Sequence, residues 1–269
     1  MHALHVPHMK GGPNHPYLDE SALDHTWKSW SKALFDGKHI TRRTDRDNVG
    51  RNPAGATKLL VKDVFACGAF ASLAPVDVSL ALVMRHPVAV ALSKRAHRHW
   101  HWTWNVREFV EHPRWSLDHL GQWRETLERV AHQGGEMENL VAVWAVLNAT
   151  ALREASQERL PIVHYERAVL DPWTAVLELK NKGGWASLVT ASEQEVLREA
   201  GRISFVSKSA DKATLPDPAR WMKQVTPSDR RKAESVLQSL GLDVWHDTRG
   251  MPSEKGIQAW REAQRPPRA

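Results

Sequence analysis

The chain has 269 residues, a formal net charge of +6, 42% hydrophobic and 25% charged residues, a balance ordinary for a globular protein long enough to bury a core. No run of about 18 apolar residues is present, which excludes a membrane-spanning helix, and the single cysteine, Cys67, excludes an internal disulfide. The positive balance favours anionic partners such as nucleotides, nucleic acid, acidic lipid or sulfated polymers, with a basic solvated surface as the equal alternative.

Residues 1–20 show no helical or strand period, and Gly11-Gly12-Pro13 and Asn14-His15-Pro16 are turn chemistry. This stretch lacks the apolar segment of a secretory signal. With one cysteine, a reducing cytoplasmic location is expected. A helix is predicted over 18–35, where Leu23, Trp27, Trp30 and Leu34 share a face. Residues 36–56 are polar, basic and punctuated by Gly and Pro, and are expected to form a loop.

Lys58-Leu-Leu-Val-Lys62 reads as a buried strand and Val64 to Leu73 as a helix. Val78 to Met84 is a second buried strand, and Pro87 opens a helix because proline suits the first turn. Helices are expected near 115–133 and 136–155. Pro161 to Tyr165 is a third strand, and Asp171-Pro172 starts a helix ending near Gly183-Gly184. Further helices are expected near 192–200 and 226–240, with the last dozen residues fraying. Segments 1–20 and 250–269 are expected to be poorly ordered. Strands alternating with helices give an α/β class, a parallel sheet flanked by helices, and a single domain over 1–269. Ligands of such sheets bind at the carboxyl ends of the strands. Lys62, Arg85 and Tyr165 fall at or just past such ends.

Arg85 closes an apolar strand and precedes a proline-opened helix. An arginine there can fork onto a phosphate. His86, Ala89/Val90 and Ser93 share one face of the following helix. Ser93 can add a hydroxyl donor, and the helix start adds partial positive charge. The plainer alternative is an Arg paired with an acid and a Ser merely facing a helix.

The segment Leu80-Ala-Leu-Val-Met-Arg-His-Pro-Val-Ala-Val-Ala-Leu-Ser93 resembles the strand, Arg-x-Pro and later Ser of the sulfotransferase family. Further pieces follow that family's order. Leu60-Val-Lys-Asp63 resembles a Lys-Asp(-Pro) strand end, with Val64 where proline is usual. Val163-His-Tyr-Glu166 with Leu170-Asp-Pro172 resembles a Tyr-Glu-Asp-Leu…Asp-Pro segment. Trp221 with Thr226-Pro-Ser-Asp229 resembles a late Trp…Leu-Thr-Pro-Glu element. His15-Pro-Tyr-Leu18 is similar to a stretch in actinobacterial members. The resemblance spans about residues 15 to 240.

The resemblance implies a P-loop NTPase-like sulfotransferase fold and 3′-phosphoadenylyl sulfate as cosubstrate, with no metal. It implies that Arg85 and Ser93 hold the 3′-phosphate. Lys62 would be the catalytic residue, stabilising charge on the departing phosphate. Asp63 is either a general base or a helix N-cap, the cap being preferred. The acceptor would be a small molecule or carbohydrate bearing a hydroxyl or amine. The family's Pro-Arg-Ser-Gly-Thr-like loop, whose N–H groups cradle the 5′-phosphosulfate, has no match in the sequence. The chain is therefore expected to begin downstream of that loop, N-terminally incomplete, which leaves open whether this polypeptide is active or inactive.

Rival readings follow from other features. A non-catalytic nucleotide-binding relic would keep the Arg85 clamp. Arg98-His-Trp-His-Trp-Thr-Trp104 could line an acceptor pocket, stack nucleic-acid bases, or supply core tryptophans with solvated histidines between them. Nucleic acid is the less favoured partner, and a nucleotide kinase lacks its Walker loop. His2, His5, His8 and His15 have no fixed spacing that would hold a metal. Tyr165 and Glu166 are expected to be structural. Ser204, Ser207, Lys208 and Lys212 form a polar basic loop.

Overall fold

A computed structural model describes Cys67 and residues 79–97, 105–154, 161–181, 185, 190–200 and 217–264. The chain divides into two compact units, Met1–Val78 and Ser79–Ala269, and every described residue except Cys67 lies in the second. The expectations placed on residues 1–66, on 98–104 and on 204–212 lie outside the described residues, Lys62 and Asp63 among them.

Among the described residues the architecture is mostly helical around a small parallel sheet, broadly α/β. Strand β1 (Leu82–Met84) pairs with β2 (Ile162–His164), with Leu82 opposite Ile162, Val83 opposite Val163 and Met84 opposite His164. Parallel pairing requires a long crossover, and helices supply it here. Helix α1 (Pro87–Ala96) leaves β1 directly. After α2 (Arg107–Val110) and α3 (Pro113–Trp115) come α4 (Arg124–Gln133) and α5 (Glu136–Glu154). Beyond β2 lie α6 (Tyr165–Leu170), α7 (Pro172–Lys180), α8 (Glu193–Ala200), α9 (Pro227–Ser239) and α10 (Glu254–Ala263).

Helix α5 is the centre of the packing. Met137, every residue from Leu140 to Leu147, Ala149, Ala151 and Leu152 are buried. A helix apolar on nearly all sides belongs inside a core. Helices α1 and α9 both pack on it. Arg95 of α1 fastens the three, lying 3.0 Å from Glu136 and 2.9 Å from Asp229. Hydrogen bonding to Arg95 holds the Asp229 carboxyl below its ordinary range.

Local chemistry sets the helix starts. Asp171 accepts the Thr174 N–H at 3.0 Å ahead of Pro172. Thr226 Oγ1 accepts the Asp229 N–H at 3.1 Å ahead of Pro227. Each pairs an N-cap side chain with a proline whose missing N–H is not needed in the first turn.

Three expectations are corrected. The helix expected over 115–133 is instead α3, a π-helical turn (Ser116–Leu120), a 3-10 turn (Gly121–Trp123) and then α4. Ser116 and Gly121 are weak helix formers, and the pitch changes at each of them. The strand around Val83 is not buried throughout, because Val83 is 64% exposed. Segment 250–269 is not poorly ordered over its first part: α10 starts on Ser253, whose Oγ accepts the Gly256 N–H at 3.1 Å, and buries Ile257 and Trp260.

Those two residues, three apart, place one helical face on the core. Trp260 meets Trp245 edge-on, with ring centroids 4.9 Å apart, and lies 6.2 Å from Trp123. Arg153 sits over both Trp123 and Trp260, at 4.5 and 5.4 Å from the ring centroids. Gly256 permits the approach, since a Cβ there would stand 1.8 Å from the Val244 carbonyl oxygen. Trp260→Ala is expected to remove about 3–5 kcal/mol from the unfolding free energy measured in urea. A fraying tail would leave the midpoint unchanged.

Candidate functional site

The carboxyl ends of β1 and β2 lie side by side, because Met84 and His164 are register partners. Each chain then turns into a helix, so Arg85–His86 and Tyr165–Glu166 form one cluster. Met84, His86, His164 and Glu166 are buried, while Arg85 and Tyr165 are partly exposed.

Arg85 lies over the Tyr165 ring, 4.5 Å from its centroid. Its Nε is buried without an acceptor. Among the described residues no carboxylate forms an ion pair with its guanidinium. Its backbone is fixed from the other side, where Trp144 Nε1–H donates to the Arg85 carbonyl at 3.0 Å.

His86 is the hinge between β1 and α1. Its backbone N–H donates to Glu166 Oε1 at 2.8 Å. Its Nδ1 accepts the Val88 N–H at 3.2 Å, which leaves the ring proton on Nε2 in the neutral form. The imidazole stacks on Trp221, with centroids 4.0 Å apart and planes 20° from parallel, and meets His246 edge-on at 4.5 Å. Trp221 is pressed into place by Gly250. That glycine has a φ of 73°, and a Cβ would stand 2.7 Å from the indole, so only glycine suits the position.

Burial dominates the electrostatics. Desolvation, followed by His246, Arg230 and Arg85, holds the His86 imidazole well below its ordinary value. Desolvation and the nearby His164 lower His246 to about 3, against the opposing pull of Asp247. Desolvation raises the Glu166 carboxyl above its ordinary value, opposed by the His86 N–H and by Arg85. Glu166 Oε2 is buried without a hydrogen-bond partner.

Of the residues singled out in the sequence, Arg85 stands at the strand end as expected. Ser93 lies two turns along α1 from His86, about 10 Å along the axis, and is partly exposed. No hydrogen bond joins Arg85 to Ser93; Arg85 lies instead over Tyr165. The start of α1 is also less open than expected, because the Val88 N–H is taken by His86 Nδ1 and the Val90 N–H by the His86 carbonyl. An anion at this site would depend chiefly on Arg85. Among the described residues no group of His, Cys, Asp and Glu could hold a metal ion, and no helix is long and apolar enough to cross a membrane.

The assembly of His86, His164 and His246 was not legible in the sequence. Spaced far apart in the chain, they carried no local signal: strand pairing brings the His86 and His164 segments together, and the C-terminal segment adds His246. No family model matches the chain, and neither a curated protein nor a solved structure matches it.

Two depressed histidines fix the sign of the acid response. The unfolded chain binds their protons near pH 6.5, whereas folded His246 does so near 3. Their stabilisation is therefore complete above pH 6.5 and is lost progressively below it, down to about 3 for His246, by up to about 1.4 kcal/mol per pH unit for each group. Glu166 works in the opposite direction, gaining a proton in the folded state above its unfolded value. Urea unfolding between pH 7.5 and 5 is expected to show stability falling with pH. His246→Phe is expected to flatten that slope. An equal slope in the variant would contradict the assignment.

Proposed function

We propose that this chain is a sulfotransferase of the P-loop-like α/β type. It takes 3′-phosphoadenylyl sulfate as cosubstrate and passes the sulfuryl group to a hydroxyl or amine on a small-molecule or carbohydrate acceptor. The observation that carries this reading is the posture of Arg85. It stands at the carboxyl end of a parallel strand, next to a proline-opened helix, with no carboxylate partner among the described residues. That is where α/β sheets bind ligands, and an unpaired guanidinium is suited to a phosphate. The order of the Lys62, Arg85, Tyr165 and Trp221 segments along the sequence supports the same reading.

In this proposal Arg85 grips the 3′-phosphate and Ser93 adds a hydroxyl farther along the same helix face. Lys62 stabilises the negative charge that builds on the bridging oxygen as the sulfur–oxygen bond to the leaving phosphate lengthens. A second reading is a nucleotide-binding relic without turnover. The two readings share the Arg85 clamp and differ only in catalysis.

Arg85→Ala is expected to weaken binding of adenosine 3′,5′-bisphosphate at least about tenfold by titration calorimetry, in line with about 1.5–3 kcal/mol for a charged hydrogen bond. Equal affinity in wild type and variant would remove the clamp assignment. Transfer of labelled sulfate from 3′-phosphoadenylyl sulfate to a panel of acceptors separates the enzyme from the relic: turnover lost in Lys62→Ala supports the first, and binding without turnover supports the second.

A further inference from the structure

Resting on the phosphate role of Arg85, we propose that Tyr165 is its positioning residue: the ring parks the guanidinium at the strand ends and keeps its N–H donors available for a phosphate monoester. Other arginines of the fold show the contrast. Arg95 is closed by Glu136 and Asp229, Arg124 by Glu128, Arg230 by Glu234, and Arg167 by Glu254. A guanidinium in such a pair spends donors on the carboxylate. A ligand would have to displace that carboxylate before it could bind.

Like Arg153 over Trp123 and Trp260, Arg85 is held on an aromatic ring instead. Its carbon centre is 4.5 Å from the Tyr165 centroid, well within the range at which an aromatic face attracts a cation. The ring quadrupole gives that attraction without accepting an N–H. Glu166, the next residue after Tyr165, would be the obvious competitor. Its Oε1 is engaged instead by the His86 N–H at 2.8 Å, and burial raises its carboxyl toward the neutral form. Glu166 Oε1 is thus committed to the His86 N–H, and Glu166 acts on Arg85 by through-space attraction without an ion pair.

Strand register makes this arrangement dependable. Met84 and His164 are partners, so the next residue on each strand, Arg85 and Tyr165, leaves the sheet at the same end. The Trp144 indole fixes the Arg85 backbone at 3.0 Å, and the Tyr165 ring fixes the far end of the side chain. A long side chain tethered at both ends loses less freedom when it binds, which favours affinity.

The test is a double-mutant cycle with titration of adenosine 3′,5′-bisphosphate and of inorganic phosphate, using the full chain. Tyr165→Leu is expected to weaken bisphosphate binding between about threefold and tenfold, and Tyr165→Phe to restore most of that loss. In the Arg85→Ala background, Tyr165→Leu is expected to cause no further loss. Wild-type affinity in Tyr165→Leu overturns the proposal. So does an equal loss in both backgrounds, which would place the ring against the ligand itself. If wild type binds inorganic phosphate alone and the variants keep this pattern, Tyr165 retains its role and the nucleotide reading falls. If wild type binds neither probe, both fall. A ligand-independent measurement covers a variant that does not fold: the Arg85 Nε–H resonance of wild type is expected to be ring-current shifted and to stay shifted in Tyr165→Phe, and an unshifted resonance in wild type overturns the proposal.

Discussion

The hydrogen bond from the His86 N–H to Glu166 Oε1 joins two strand-to-helix turns 80 residues apart in the chain. It is short, buried and made to a carboxyl group, the kind of bond worth about 1.5–3 kcal/mol when the acceptor is charged. Two parallel strands of three residues each would not hold register alone. This bond closes their carboxyl ends, and the residues on either side of it take their positions from it. Arg85 and Tyr165 flank the two partners and meet face to face. His86 is turned so that its ring caps α1 and stacks on Trp221.

From that point the C-terminal segment is drawn onto the sheet. Trp221 and His246 both touch His86, and Trp144 touches His246 and Trp245. The aromatic contacts continue through Trp260 to Trp123. A run of rings thus links the strand ends to Trp123. Arg95 adds a second tie between α1, α5 and α9. The core is expensive in buried polar groups: buried His86, His164 and Glu166 crowd one junction with half-buried His246, and Glu166 Oε2 lacks a partner. Its acid sensitivity follows from that crowding.

Much of the described fold was legible in the sequence because its punctuation is local. His86-Pro87, Asp171-Pro172 and Thr226-Pro227 each announce a helix start through an N-cap and a proline, and each starts where expected. The broken helix at Ser116–Trp123 was less legible, since an apolar period persists through a change of pitch. Helix α10 was missed because its polar residues dominate the composition, although Ile257 and Trp260 bury one face. At the site, Arg85 was visible from its place at the end of an apolar run. Its Tyr165 platform was not, because no sequence spacing encodes a contact made through strand pairing. Ser93 was read as a partner of Arg85 from helix periodicity, which fixes a face but not the direction in which an arginine side chain lies. Lys62 falls outside the described residues.

The proposed function depends on one property, an arginine that rests on an aromatic ring and has no carboxylate ion pair among the described residues. The most direct measurement is an experimental structure of the full chain with adenosine 3′,5′-bisphosphate. The account predicts the 3′-phosphate within about 2.7–3.2 Å of the Arg85 guanidinium, with the guanidinium still over Tyr165. A nucleotide bound away from the strand ends, or an Arg85 side chain that contacts no phosphate in the complex, would contradict it.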